Sequence, residues 1–376
     1  MRFIHCADIH LDSRMTSRLP AEKARERRKE MLNTFRRLVQ TAADEQADAV
    51  LIAGDLFDRK NFSRTSGETC LTLIRENPQI QFFYLRGNHD TGPFPEEGKS
   101  VPSNLHLFSG EHWTSCTVGQ TGVTITGTEL TVENQYRLLG DLQINPANCN
   151  IVMLHGLAED SRLRASHSGK AAEPVIPLRS MAEKGIDYLA LGHIHKPTAG
   201  KLGGRGIWCY SGCLEGRGFD ECGDRGCMLV DLDPETHKAE LKFLPLAARI
   251  FHEISVDVTS FENTGDILAA VRNRLKEEPC REQDFVRILL NGETELTYEI
   301  PLEVLNRQLN GLYYYLEIEN RTKLLVDYRS YEGDPSLKGE FVRRVRRDST
   351  LTEEQKTAIL KLGIRLLTGA DVYEDP

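Results

Sequence analysis

Nowhere in its 376 residues does the chain hold an uncharged apolar stretch near the roughly 20 residues that a membrane-spanning helix needs. The opening MRFIHCADIH has only a short apolar run before it meets His and Asp, so no secretory leader is expected. A basic balance is also missing. The net charge of −9 excludes a nucleic-acid footprint spread over the whole chain. The nine cysteines are odd in number and follow no leader, which argues against a disulfide framework. Free thiols in a reducing compartment, and hence a cytoplasmic location, are expected. Cys209, Cys213, Cys222 and Cys227 lie close together, but their spacing matches no zinc knuckle. They read as small apolar packing residues.

What is present suits a globular protein: 40% of residues are apolar and 27% charged, in a chain long enough for two domains. Basic residues cluster locally. Between Arg14 and Arg37 nine Lys/Arg face three Glu, and Lys338, Arg343, Arg344, Arg346 and Arg347 lie together near the end. The bland reading of each cluster is a solvated helix face.

Short apolar runs that end in polar loops recur through the first half. Arg2–Cys6 leads into ADIHLD, Ala49–Ala53 into GDLFD, Gln81–Leu85 into RGNHD, Asn150–Leu154 into HG and Tyr188–Leu191 into GHIH. Such runs predict buried strands. Apolar stripes between them (Leu32, Phe35, Leu38 and Val39; then Leu71 and Ile74) predict helices. Strand-helix-strand order implies parallel pairing in an α/β layered domain. Thr121–Thr128, Cys227–Leu232 and Ala239–Leu244 also read as strands, so a second, partly antiparallel sheet is expected, with the domain ending near Leu246. From Arg249 a compact α+β unit follows: strand Ile250–Val258, helix Gly265–Lys276, strand Phe285–Leu290, helix Leu302–Leu309 and strand Leu312–Ile318. Helices are expected over Leu337–Arg347 and Thr352–Leu367, the second opened by a capping box of Thr352 and Gln355. The apolar stripe of that helix must dock on its own protein or on a partner.

The strand ends carry Asp8 and His10; Asp55 and Asp58; Asn88, His89 and Asp90; His155; and His193 and His195. Singly, each is more often a turn former or a structural residue. Together they are delivered to one sheet edge, where ligands bind in open α/β sheets. Carboxylate, imidazole and amide without thiolate suit Mn²⁺, Fe or Zn²⁺. The donors are too many for one ion, and Asp55 lies between the earlier and later sets, as a shared ligand would. Two ions roughly 3.5–4 Å apart hold phosphate and generate hydroxide at neutral pH.

The ordered set D-x-H, G-D-x-x-D, G-N-H-D, H-G and G-H-x-H resembles the calcineurin-like metallophosphoesterase superfamily, over Asp8 to His195. FIHCADIHLD, LIAGDLFD, YLRGNHD, LGHIHKP and the later YSGCLEGRGFDE with GCMLVDL resemble the SbcD-type DNA repair nucleases, nearest to the YhaO-type bacterial subgroup. The resemblance implies a two-sheet αββα metallophosphoesterase domain over 1–246, an α+β capping unit over 249–328 and a helical tail over 336–376. It implies two divalent ions, Mn²⁺ in the first instance. Asp8, His10 and His195 would hold one, Asn88, His155 and His193 the other, and Asp55 would bridge. His89 would assist the leaving oxygen and Asp90 would orient His89. The activity implied is phosphodiester hydrolysis by a metal-bound hydroxide, as a DNA exonuclease or endonuclease of DNA repair. Arg14, Arg18 and the Lys23–Lys29 run would hold the phosphate backbone. An SMC-like, SbcC-type ATPase would dock on the tail, and a homodimer is implied. One departure stands out: the archaeal and eukaryotic branch has His where this chain has Asp58. The rival expectations are a nucleotide or phosphoprotein phosphoesterase on the same fold, or a metal-retaining regulatory subunit of the ATPase.

Overall fold

The computed structural model describes residues 1–15, 19–58, 63–96, 98–159, 173–259, 261, 263–295, 299–325 and 333–367. Arg18 and residues 368–376 of the expected tail lie outside them. Two compact units are formed, Met1–Ile250 and Phe251–Pro376.

The first unit is an α/β sandwich of two six-stranded sheets. In one sheet the strands run in the order Ala239–Pro245, Gly226–Leu232, Arg2–Cys6, Ala49–Ala53, Gln81–Leu85, Leu105–Leu107. In the other the order is Thr198–Gly203, Gly206–Tyr210, Tyr188–Gly192, Cys149–His155, Val123–Gly127, Thr114–Thr117. The centre of each sheet is parallel. Antiparallel strands lie at the edges of both, which departs from the expectation that only the second sheet is mixed. The hairpin Gly226–Leu232/Ala239–Pro245 pairs with Arg2–Cys6 and so extends the first sheet.

Strand side chains alternate between faces. Phe3, Leu51 and Phe83 of one sheet therefore meet Ile125, Ile151, Met153, Tyr188 and Ala190 of the other in a common core. Ile4, Val50, Ile52 and Phe82 are also fully buried and lie on the opposite face. Helix Ala21–Asp44 buries Met31, Phe35, Leu38 and Ala42, and helix Arg64–Arg75 buries Cys70, Leu71 and Ile74. On the second sheet's outer face, Val152, Leu154, Leu189 and Leu191 pack with Leu138, Leu139 and Met181 of two short helices. These layers bring the carboxyl ends of Arg2–Cys6 and Ala49–Ala53 near those of Cys149–His155 and Tyr188–Gly192.

In the second unit the strands Phe251–Asp257, Phe285–Asn291 and Tyr315–Asn320 are all parallel. Helices Thr264–Glu277 and Leu302–Leu309 pack Ile267, Val271, Leu305 and Leu309 on one sheet face. The last strand starts three residues later than expected, because Gly311 takes a left-handed φ of 84° and the chain turns before it extends. Helices Leu337–Arg347 and Glu353–Leu367 pack on each other through Val342, Val345, Leu360 and Ile364. The capping box forms: Thr352 Oγ1 accepts from the Gln355 N–H at 3.2 Å, and Gln355 Oε1 accepts from the Thr352 N–H at 2.9 Å. Leu337, Ile359, Leu362, Leu366 and Leu367 remain exposed.

Candidate metal centre

Past the last strand residue, the backbone at Asp8, His10, Asp55 and His193 is left-handed, with φ of 51°, 49°, 53° and 110°. Such conformations are rare for side-chain-bearing residues. Hydrogen bonds between loops hold them: Asp8 N–H to Gly54 O at 3.1 Å and His10 N–H to Asp55 O at 2.9 Å. Two glycines make room for the site. A Cβ on Gly54 would collide with the His155 ring, and one on Gly87 with the Asp55 carboxylate. Gly87 therefore serves close approach and has no left-handed φ.

Ligand-type atoms of Asp8, His10 and His195 lie within 4.8 Å of one another, and so do those of Asp8, Asp55 and His155. His10 Nε2 and His195 Nε2 face each other at 3.3 Å. Bonds of about 2.1 Å meeting at about 100° at one ion would put two nitrogens about 3.2 Å apart, so this pair fits a shared cation. Asn88 Oδ1 is 3.0 Å from His155 Nε2, which is 3.4 Å from Asp55 Oδ2. His155 Nδ1 donates to the Ala53 carbonyl at 2.9 Å, leaving Nε2 to face the site. His193 stands apart: among the described residues it joins no such group, and its Nε2 meets Glu173 Oε2 at 2.8 Å. Its backbone N–H donates to Asp8.

The charges also fit a cation. Burial pushes the Asp55 carboxyl up, but His155, His10 and His89 outweigh it and hold the group well below the usual carboxylate range. Burial opposes charge on His155 too, yet Asp55 and Asp8 push it up to about 10. Burial, with Arg217 adding to it, lowers the pKa of His10. Crowded carboxylates and imidazoles that depend on shared positive charge are what a divalent ion satisfies.

His89 is half-exposed beside this group, and its N–H donates to Asp55 Oδ1 at 2.8 Å. Its Nδ1 is 3.0 Å from Asp58 Oδ1, and hydrogen bonding to that carboxylate raises its pKa. The orienting carboxylate is therefore Asp58, which sequence reasoning left without a role. Asp90 was expected there. Its carboxylate instead accepts from the backbone N–H groups of Leu56, Phe57 and Gly87 at 3.1, 2.7 and 3.0 Å. Burial, reinforced by Asp55, pushes its pKa up to about 7.

Two further residues went unread although both lie in the quoted YSGCLEGRGFDE. Glu221 Oε1 holds His195 Nδ1 at 2.7 Å, and Arg217 Nη2 reaches Glu221 Oε1 at 3.1 Å. Glu173 gave no sequence signal. Among the basic residues, Arg14 is exposed, but Arg27 is fully buried and paired with Glu30 and Glu215. The Lys23–Lys29 run is thus a surface patch with one member withdrawn into the core. Cys209, Cys213 and Cys227 are buried and Cys222 half-buried, all as free thiols. Cys209 belongs to the core between the sheets.

The sequence model described as calcineurin-like phosphoesterase matches residues 1–197. The chain is 28% identical over 335 residues to the "uncharacterized metallophosphoesterase YhaO" of Bacillus subtilis, covering 83% of this chain and 77% of the relative. It is 28% identical over 311 residues to the DNA double-strand break repair protein Mre11 of Haloferax volcanii, covering 80% of this chain and 64% of that protein. A protein of the same name from Saccharolobus solfataricus is 22% identical over 383 residues, covering 96% and 94%. Among the described residues no helix is long and apolar enough to cross a membrane.

Proposed function

The chain belongs to the calcineurin-like phosphoesterase family, and we propose that it is a two-metal phosphodiesterase that cuts DNA in the course of repair. The observation that carries the reading is the convergence of two ligand-type groups on Asp8, with His89 and its carboxylate alongside. Asp8, His10 and His195 would hold one ion, Asn88, His155 and His193 the other, with Asp55 between them. For His193 to serve, Glu173 must give way. Manganese suits this oxygen and imidazole set. When bound, divalent ions neutralise phosphate charge and make bound water acidic.

The chain's own residues do the rest. His89 donates from Nδ1 to Asp58, which leaves Nε2 free to face solvent and substrate. Its raised pKa keeps a proton available for the departing sugar oxygen. Asp90 fixes the spacing of the Asp55 and His89 loops. Glu221 fixes the ring of His195 and the nitrogen it presents. No protein nucleophile is required.

DNA as substrate is supported by what the Mre11 relatives are named for, repair of DNA double-strand breaks. Arg14, Arg25, Arg28 and Lys29 supply basic groups for phosphate contact. The second unit is assigned to shaping substrate access. The exposed Leu337, Ile359, Leu362, Leu366 and Leu367 offer an apolar face for an SMC-like ATPase, and a cytoplasmic homodimer completes the proposal.

A Mn²⁺-loaded panel tests it: end-labelled duplex, single-stranded and closed-circular DNA, a nucleoside monophosphate and a phosphopeptide. Cleavage of at least one DNA form, abolished by chelation, is the expected result. Hydrolysis confined to the nucleotide or the phosphopeptide would replace DNA as the substrate.

A further inference from the structure

Arg217 reaches the candidate metal centre from the loop after strand Gly206–Tyr210. Its guanidinium stands between two of the site's carboxylates. Nη2 is 3.1 Å from Glu221 Oε1 and 3.2 Å from His195 Nδ1, and Nη1 is 3.8 Å from Asp58 Oδ1. Through these groups it touches the partners of both His195 and His89. Its side chain is only 16% exposed.

A guanidinium offers five N–H donors in a rigid fork. Here few are used. Glu221 takes one from Nη2, Asp58 lies beyond hydrogen-bond reach of Nη1, and the buried Nε has no hydrogen-bond partner. Buried donors left unmade are costly, and native structures rarely tolerate them without a reason. A charged fork with unspent donors, beside a half-exposed histidine and a candidate cation site, is suited to an anionic oxygen.

We propose that Arg217 binds a non-bridging oxygen of the phosphate held at this centre, adding a fixed positive charge from the protein to that of the ions. The inference rests on the phosphoesterase reading of the site, and it does not depend on the substrate being DNA. The competing role is structural: through Glu221, Arg217 would merely staple its own loop.

The test uses the full chain loaded with Mn²⁺, and compares the unaltered protein with Arg217→Gln and Arg217→Lys. Four quantities are measured: manganese content, melting temperature, binding of inorganic phosphate by calorimetry, and kcat/KM on bis-p-nitrophenyl phosphate. Arg217→Gln should keep its manganese and melting temperature, bind phosphate at least about tenfold more weakly and lose about 10²–10³-fold in kcat/KM. Arg217→Lys, which keeps the charge without the fork, should fall between the two. Unchanged phosphate binding in Arg217→Gln overturns the proposal. So does a loss of phosphate binding that both variants share with a loss of manganese or of melting temperature, since that is the behaviour of a staple. An unaltered protein that binds phosphate but hydrolyses no diester refutes the phosphodiesterase reading, and the phosphate arm still decides the role of Arg217.

Discussion

In the second unit, the parallel strands Phe251–Asp257 and Tyr315–Asn320 end in Asp and Asn, residue types that in the first unit stand just past the strand ends, at Asp8, Asp55 and Asn88. Asp257 Oδ1 accepts from the N–H and hydroxyl of Thr259, and Asn320 Oδ1 from those of Thr322. Each spends its side chain two residues away, closing a local turn. In the first unit Asp8 accepts from His193, Asp55 from His89, and Asn88 faces His155. The backbone differs as well. Among the described residues of the second unit no non-glycine residue is left-handed, whereas Asp8, His10, Asp55 and His193 all are. Each such residue costs on the order of 1 kcal/mol, a cost that bonds between loops offset. A turn former satisfies itself locally. A site residue is held in place by distant parts of the chain and keeps its functional atoms for something else.

The contrast can be broken most directly at Asp55. Asp55→Asn should lose about 10³-fold or more in Mn²⁺-dependent diester hydrolysis, since the charge between the ions is removed. Manganese content should fall with it. Two tightly held ions in that variant would remove Asp55 from the bridging position. A smaller effect is expected one step from the reacting groups. Asp58→Asn should lower kcat by about 10–100-fold and leave manganese bound, because it weakens the support of His89. Its pH profile should move as well: His89, no longer facing a carboxylate, should lose its proton at lower pH. An unmoved profile would return the orienting role to another group. The smallest effect belongs to the second unit. Asp257→Asn keeps an acceptor for Thr259 and should leave turnover within about twofold of the unaltered chain. A large loss there would mean that the strand ends of the second unit take part in the chemistry after all.

Much of this was legible beforehand because it is carried by local pattern. The runs Arg2–Cys6, Ala49–Ala53 and Gln81–Leu85 are strands over the expected residues, since a short apolar run that leads into a polar loop has few other uses. Residue pairings across the fold were hidden for a physical reason. Whether His89 meets Asp58 or Asp90 depends on which way a loop carboxylate turns, and three backbone N–H groups decide that for Asp90. Glu221 lies 26 residues beyond the histidine it holds, and only the packing of two sheets reveals the pair. Arg27 looked like one more cation on a basic helix. Its partner Glu215, 188 residues away, is what draws it inside.

Two of the three bonds to Asp90, those from the Leu56 and Phe57 N–H groups, join the Asp55 loop and the Asn88-His89 loop into one mechanical part. For anyone rebuilding this centre, residues 54–58 and 87–90 are a single graft. Moving Asp55 without Asp90 would transplant a carboxylate and leave behind the bracket that sets its distance from His89.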